Sequence, residues 1–154
     1  MREHLLLVGE VNPYGGDDSR ALIDYPEGCA GHRLRRILGL PRDDYRALRR
    51  TNLCRGDWDG RAARERAREI LSSGRVVVVM LGRKVAQAFG FRGEFFTRTD
   101  AHVRGFFDGK VDYCLASLPH PSGRCLIWNR SDSAIRARDL LRGIAPDVAW
   151  GSES

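Results

Sequence analysis

No two cysteines of this 154-residue chain stand in a C-x-x-C spacing. Cys29, Cys54, Cys114 and Cys125 are scattered, which excludes a zinc knuckle and leaves no disulfide framework, so reduced thiols are expected, some of them in the core. Long apolar runs are missing as well. Met1 is followed by the polar tripeptide Arg2-Glu3-His4 and then only Leu5 to Val8, so neither a signal peptide nor a membrane span is expected, and the chain reads as cytosolic. Internal repeats and low-complexity tracts are absent. Acidic residues are the minor charge class, 20 against 26 Lys plus Arg, for a net charge of +6 and a pI near 9.6. Lysine is rare, with arginine supplying 24 of the 26 basic side chains. Arginine suits bidentate phosphate contacts, so a nucleic acid is favoured over a merely solvated basic surface. The length fits one domain able to bury a core without metal or disulfide, spanning residues 1–146 and followed by a frayed tail over 147–154. A monomer with no membrane partner is expected.

The apolar run from His4 to Val8 reads as a buried strand that ends at Gly9 and feeds a long Gly- and Pro-rich loop reaching Gly31. From Gly31, Leu34, Ile37 and Leu38 recur at helical spacing until Gly39 and Pro41 stop the pattern. Arg49 to Cys54 is a short strand candidate. Asp57 or Asp59 caps a helix carrying Ala63, Ala67, Ile70 and Leu71, ended by Gly74. Arg75 to Leu81, with four consecutive valines, is a central strand. A helix starting at Gly82 turns Val85, Ala86 and Phe89 inward and stops at Gly90, while residues 91–107 give no regular pattern. Val111 to Leu118 is the last strand, and Ser131 or Asp132 caps a final helix with Ala134, Ala137 and Leu141 on one side. Strand and helix alternate four times, which predicts an α/β three-layer αβα sandwich around a central, mainly parallel four-stranded sheet.

In such sheets ligands sit beyond the carboxyl ends of the strands. Four segments follow strands here: Gly9 to Gly16, Asn52, Gly82 and the loop Leu118-Pro119-His120-Pro121-Ser122-Gly123-Arg124. The topology would gather them at one rim. Two prolines hold His120 in a rigid loop that turns at Ser122-Gly123, the form of a loop that presents a side chain or of a Pro-stiffened turn with an exposed imidazole. An Asn carboxamide holds both a donor and an acceptor, so Asn52 can read the O4 and N3–H edge of a uracil, or cap a strand end. Asn12, held by Pro13, and Glu10 are candidates to position a water; an Asx turn and a surface charge are the plainer readings of the two. Tyr14 offers a flat wall beside a ring. The Gly28-Cys29-Ala30-Gly31 entry to the first helix could turn free amides outward at Gly31 and His32, an anion site.

Taken together, these residues resemble the uracil-DNA glycosylase superfamily over most of the chain. Gly9-Glu10-Val11-Asn12-Pro13-Tyr14 is similar to the family's water-positioning motif, written G-Q-D-P-Y, G-I-N-P-G or G-E-A-P-G in different branches. Counted back from the proline, Asn12 takes the catalytic position and Tyr14 that of the tyrosine crowding the 5-methyl of thymine. Counted forward from Gly9, Glu10 takes the catalytic position instead, because one residue is extra. The late loop resembles H-P-S-P-L or H-P-S-P-R, which implies His120 as the group stabilising the uracil O2 oxyanion and Arg124 at the wedge that fills the gap left by a flipped nucleotide. Asn52 matches the asparagine that recognises the pyrimidine edge. Tyr25-Pro26-Glu27-Gly28-Cys29-Ala30-Gly31 is similar to P-F-V-G-R-A-G, making Tyr25 the candidate to stack on the base. Gly82-Arg83-Lys84-Val85-Ala86 is similar to the L-G-x-x-A helix start. The cysteines lack the spacing of the iron–sulfur branches, so no cluster, metal or other cofactor is expected.

The activity implied by the resemblance is monofunctional hydrolysis of the N-glycosidic bond of a flipped deoxyuridine, leaving an abasic site for base excision repair. His120 and backbone amides would hold the uracil anion while water placed by Asn12 or Glu10 attacks C1′. Ser122, Gly123 and neighbouring arginines would grip phosphates. Two other readings stand beside it: the same fold acting on a modified thymine or 5-substituted uracil, and a non-catalytic DNA- or nucleotide-binding module.

Overall fold

All six residues of Val76–Leu81 are buried. A strand covered on both faces must lie inside a sheet with helices above and below it. In the computed structural model, which describes residues 2–12, 17–104 and 110–153, it does. The strands are β1 (Leu5–Asn12), β2 (Arg49–Arg55), β3 (Val76–Leu81), β4 (Arg98–Arg104) and β5 (Lys110–Leu118), in the order β2-β1-β3-β5-β4. All neighbours are parallel except the antiparallel pair β4 and β5. The helices are α1 (Ala30–Leu38), α2 (Arg42–Arg46), α3 (Gly60–Ser72), α4 (Arg83–Ala88) and α5 (Ser133–Ile144).

Side chains alternate across a strand, and the pleat sorts the core into two layers. Leu5, Leu7, Val77, Val79, Ala116 and Leu118 point to one face, where Leu34 and Leu38 of α1 and Ala137 and Leu141 of α5 cover them. Leu6, Val8, Val78, Met80 and Leu115 point to the other, against Ala63, Ala67 and Ile70 of α3 and Val85 and Phe89 of α4. The expected three-layer α/β sandwich is the architecture found, with one strand more than expected.

Local chemistry sets the element ends. The carboxylate of Asp59 accepts from the amides of Arg61 and Ala62 at 3.0 and 3.2 Å and starts α3. At the other candidate cap, Asp132 stands before α5 without a side-chain capping bond, and Ser133 instead donates its hydroxyl to Ile127 O at 2.6 Å. Gly39 adopts φ +63° and closes α1 in the left-handed conformation that a Cβ disfavours.

Four expectations change. The first strand starts at Leu5 and does not stop at Gly9: it continues to Asn12, because Gly9, Val11 and Asn12 pair in register with Asn52, Cys54 and Arg55 of β2. Residues 98–104 form β4, an edge strand that needs only one partner and is polar enough to escape the strand pattern. The five-residue α2 follows Pro41, too short to show a period. Residues 147–153 do not fray; Trp150 is 4% exposed and donates Nε1 to Ala145 O at 2.8 Å, while the amides of Gly151 and Glu153 donate to Leu38 and Gly39 carbonyls at 2.9 Å. Among the described residues no helix is long and apolar enough to cross a membrane.

Candidate functional site

Strands β3 and β5 end together at Leu81 and Leu118, level with Gly9 of β1 and its partner Asn52 of β2, and the chain leaves them through Gly82 and the loop of His120, while β1 and β2 run on as a pair to Asn12 and Arg55. Gly82 is where the ends of β3 and β5 meet. It holds φ +103° and donates its amide to Leu118 O at 2.8 Å, tying the end of β3 to the end of β5. A Cβ at Gly82 would stand 3.2 Å from Cβ and 3.5 Å from Cδ2 of His120, and 3.3 Å from Oε1 of Glu10. A carboxylate from β1 and the imidazole after β5 therefore crowd one point that only glycine leaves open.

His120 is half-buried between two buried prolines, Pro119 and Pro121. Its carbonyl accepts from Trp128 Nε1 at 2.9 Å, and Trp128 packs edge-on against Phe96 with ring centroids 5.7 Å apart. The loop is thus fixed by an indole as well as by its prolines. Trp128 follows His120 by eight residues, and its role becomes visible only in the fold.

Asn52 is 9% exposed in the middle of β2, and its Oδ1 and Cγ fill the space above Gly9 where a side chain would otherwise stand. Asn12 is placed differently. It is 2% exposed, and its Nδ2 donates to Asp17 O at 2.9 Å, which fastens the end of β1 to the chain beyond residues 13–16. Of the two water-positioning candidates, Glu10 is the one brought beside His120. Tyr14 lies outside the described residues.

Tyr25, 49% exposed, precedes a cis peptide bond to Pro26, and the Arg46 guanidinium sits 5.7 Å from its ring centroid. Arg46 Nε also reaches Asp24 Oδ1 at 3.0 Å. The Asp24 carboxylate is wholly buried and has two further arginines near it, Arg42 at 3.5 Å and Arg35 at 3.6 Å. Behind it the buried Tyr45 hydroxyl donates to Leu22 O at 2.6 Å, and burial pushes its pKa well above the usual phenol range. Asp24, Arg46 and Tyr45 carry no motif in the sequence, yet they fix the segment that presents Tyr25.

In the turn before α1 the amide of His32, expected to face outward, is taken, as are those of Gly28 and Cys29. Gly28 N donates to His32 Nδ1 at 3.1 Å, Cys29 N to Pro26 O at 3.2 Å and His32 N to Cys29 Sγ at 3.4 Å. Gly31 is packed so tightly on the carbonyls of Leu22 and Ile23 that a Cβ has no room. What this region offers an anion is guanidinium. Arg33 donates Nε to Gly28 O at 3.0 Å, and its Nη2 would lie 2.8 Å from a Cβ at Gly123. An open cleft of about 380 Å³ runs between the two loops, lined by His32, Arg33 and Arg36 on one side and Pro121, Ser122 and Trp128 on the other. Arg124 is exposed at its turn.

Among the described residues, no group of three or more His, Cys, Asp or Glu side chains is placed to hold a metal ion. Comparison of the chain with protein-family models, with curated proteins and with solved structures finds no match.

Proposed function

We propose that the chain is a monofunctional DNA glycosylase that hydrolyses the N-glycosidic bond of a uracil flipped out of DNA. The observation that carries this reading is the approach of the Glu10 carboxylate and the His120 imidazole to one point above Gly82, at the rim where an α/β sheet takes its ligand. In the proposed step the bond between C1′ and the base breaks with its electron pair going to uracil. An N–H of His120 stabilises the charge developing on the base. A water held by Glu10 adds to C1′ and gives up its proton, leaving an abasic sugar and free uracil. Asn52, fixed against Gly9, supplies the paired donor and acceptor that match the uracil edge. Tyr25 offers the exposed ring on which the base stacks, and Arg33, Arg36 and Ser122 line a cleft suited to the phosphates of the strand.

Asn12 is the less suitable water-positioning group, because its carboxamide already serves the backbone at Asp17. The test is a single-turnover assay on oligonucleotides bearing U:G, U:A, single-stranded uracil, 5-hydroxymethyluracil or T:G, followed by alkaline cleavage of abasic sites. Uracil strands should break and T:G should survive, with His120→Ala removing the product while DNA affinity is kept. Cleavage of the 5-substituted base alone would reassign the substrate. DNA binding without product from any substrate would leave a non-catalytic module.

A further inference from the structure

On the α4 side of the same rim lies a second cavity, of about 550 Å³, that the glycosylase reading does not use. Its walls include Arg83, Gln87, Arg92, Glu94 and Phe95, with Ser117 among the lining residues. Arg83 directly follows Gly82, and Ser117 lies three residues before His120, so chain continuity fastens the cavity to the site on both sides.

Three observations give it the chemistry of a nucleotide subsite. Ser117 is 1% exposed and its hydroxyl makes no hydrogen bond to the described residues, although its amide and carbonyl are both taken by the start of β4: Ser117 N donates to Thr97 O at 3.0 Å and Phe96 N donates to Ser117 O at 2.7 Å. A hydroxyl in the wall of a cavity, on a residue whose backbone is already held, can donate to and accept from a ligand. Secondly, Arg83 and Arg92 are exposed, and neither forms an ion pair with a carboxylate among the described residues. Thirdly, the Arg83 guanidinium lies 5.8 Å from the centroid of Phe95, a cation–aromatic pair of the kind that binds bases. Glu94 is the acidic member of the lining and works against an anion; two guanidiniums outweigh it.

We propose that this cavity binds a second nucleotide of the DNA strand that enters the rim. Its phosphate would lie on Arg83 and Arg92, its base against the Arg83–Phe95 pair, and one of its polar edges on the Ser117 hydroxyl. The inference rests on the proposed function for the identity of the strand, but not for its test, which needs no uracil.

The experiment is fluorescence anisotropy of the full chain with labelled thymidine oligomers of two to twelve nucleotides, repeated across a salt series. Arg83→Ala and Arg92→Ala should each weaken binding about tenfold and flatten the salt dependence by about 0.7 in log–log slope, the value for one lost single-strand phosphate contact. Ser117→Ala should weaken it about threefold with the slope unchanged, since a hydroxyl releases no counterion. Glu94→Gln should tighten it. Thymidine 5′-monophosphate, the free-nucleotide control, should compete at least about a hundredfold less well than an octamer, because most of the phosphate contacts are lost. Wild-type affinity and slope in a folded Arg83→Ala/Arg92→Ala double variant would overturn the proposal. Competition by the mononucleotide equal to that of the octamer would also overturn it, in favour of a site for free nucleotides. Failure of the glycosylase reading appears separately, as intact oligomer binding without excision.

Discussion

Asn52 lays its carboxamide oxygen over Gly9, the residue it pairs with across the β1–β2 ladder, and occupies the volume that any Cβ at that position would need. The glycine is therefore a seat for the asparagine. In Gly9→Ala the carboxamide must leave, and a displacement of about 1 Å in a positioning group can cost about a hundredfold in rate. We expect excision to fall about 10- to 100-fold with a loss of about 1–3 kcal/mol of stability from overpacking. Gly60→Ala, where the new methyl meets only Arg64 Nη1 at 3.4 Å, should do neither. Single-turnover rates and urea melts of the two variants check this. In the same assay Asn52→Asp should weaken the choice of uracil, since a carboxylate cannot donate to O4.

Glu10 and Asn12 separate by experiment because the fold gives them different work. Glu10→Gln keeps the shape but removes the charge beside His120, and the expected loss in excision is about 10²- to 10³-fold, with stability nearly unchanged. Asn12→Ala leaves Asp17 O without its buried donor, so about 1–2 kcal/mol of stability should be lost. Its excision rate, measured well below the melting temperature, should stay within about threefold of wild type. The reverse pattern would return the water to Asn12.

The parts of the fold that could be read from the sequence were those whose cause is local. The valines of β3 announce a strand buried on both faces, and Asp59 announces α3 because a capping carboxylate acts within three residues. The ends of β3 and β5 were legible for the same reason, since Gly82 and Pro119 break the two apolar runs directly after Leu81 and Leu118. What escaped depends on partners distant in sequence. β1 passes through Gly9 because β2 offers it Asn52 and Cys54 as partners, and that extension is why spacing alone left Glu10 and Asn12 unresolved. β4 has only β5 to pair with, and the tail is held by bonds from Trp150 to Ala145 and from Gly151 to Leu38 of α1 that no pattern near residue 150 encodes. The cluster at Asp24 joins a loop to two helices, and charge pairing across such separations has no period.

Two cysteines report on the sheet. Cys54 and Cys114 are 5% and 9% exposed, whereas Cys29 and Cys125 are half-buried. Burial, and then the Asp100 carboxylate across the β4–β5 pair, push the Cys114 thiol up to about 12. A thiol whose pKa is raised on folding adds stability that is fully present below the unfolded value of about 8.5 and is lost as pH rises from there towards 12. Thermal melts from pH 7 to pH 10 should therefore show an alkaline loss, of which about 1–2 kcal/mol at pH 10 disappears in Cys114→Ala. With iodoacetamide at pH 8, Cys29 and Cys125 should be alkylated before Cys54 and Cys114, as peptide mapping would show. A rate at Cys114 equal to those of Cys29 and Cys125 would mean that the β4 edge opens readily.

Asp24 supports Tyr25 through charge. Its buried carboxylate receives Arg46 at 3.0 Å, Arg42 at 3.5 Å and Arg35 at 3.6 Å, and Arg46 in turn lies over the exposed tyrosine ring. Removing one side of a buried ion pair leaves the other charge without compensation, at about 3–5 kcal/mol. Arg42 and Arg46 keep part of their hydration, so Asp24→Asn should sit at the lower end, about 3 kcal/mol, by urea denaturation. Arg42→Ala removes a mostly solvated partner and should cost under about 1 kcal/mol. Arg46→Ala separates support from stacking, since it releases Tyr25 while Arg35 and Arg42 still hold the carboxylate. If the ring stacks on the flipped base, this variant should bind uracil-containing DNA more weakly than wild type while its affinity for undamaged DNA falls only by what one exposed arginine contributes. A parallel fall on both DNAs would reduce Arg46 to a phosphate contact and remove Tyr25 from the site.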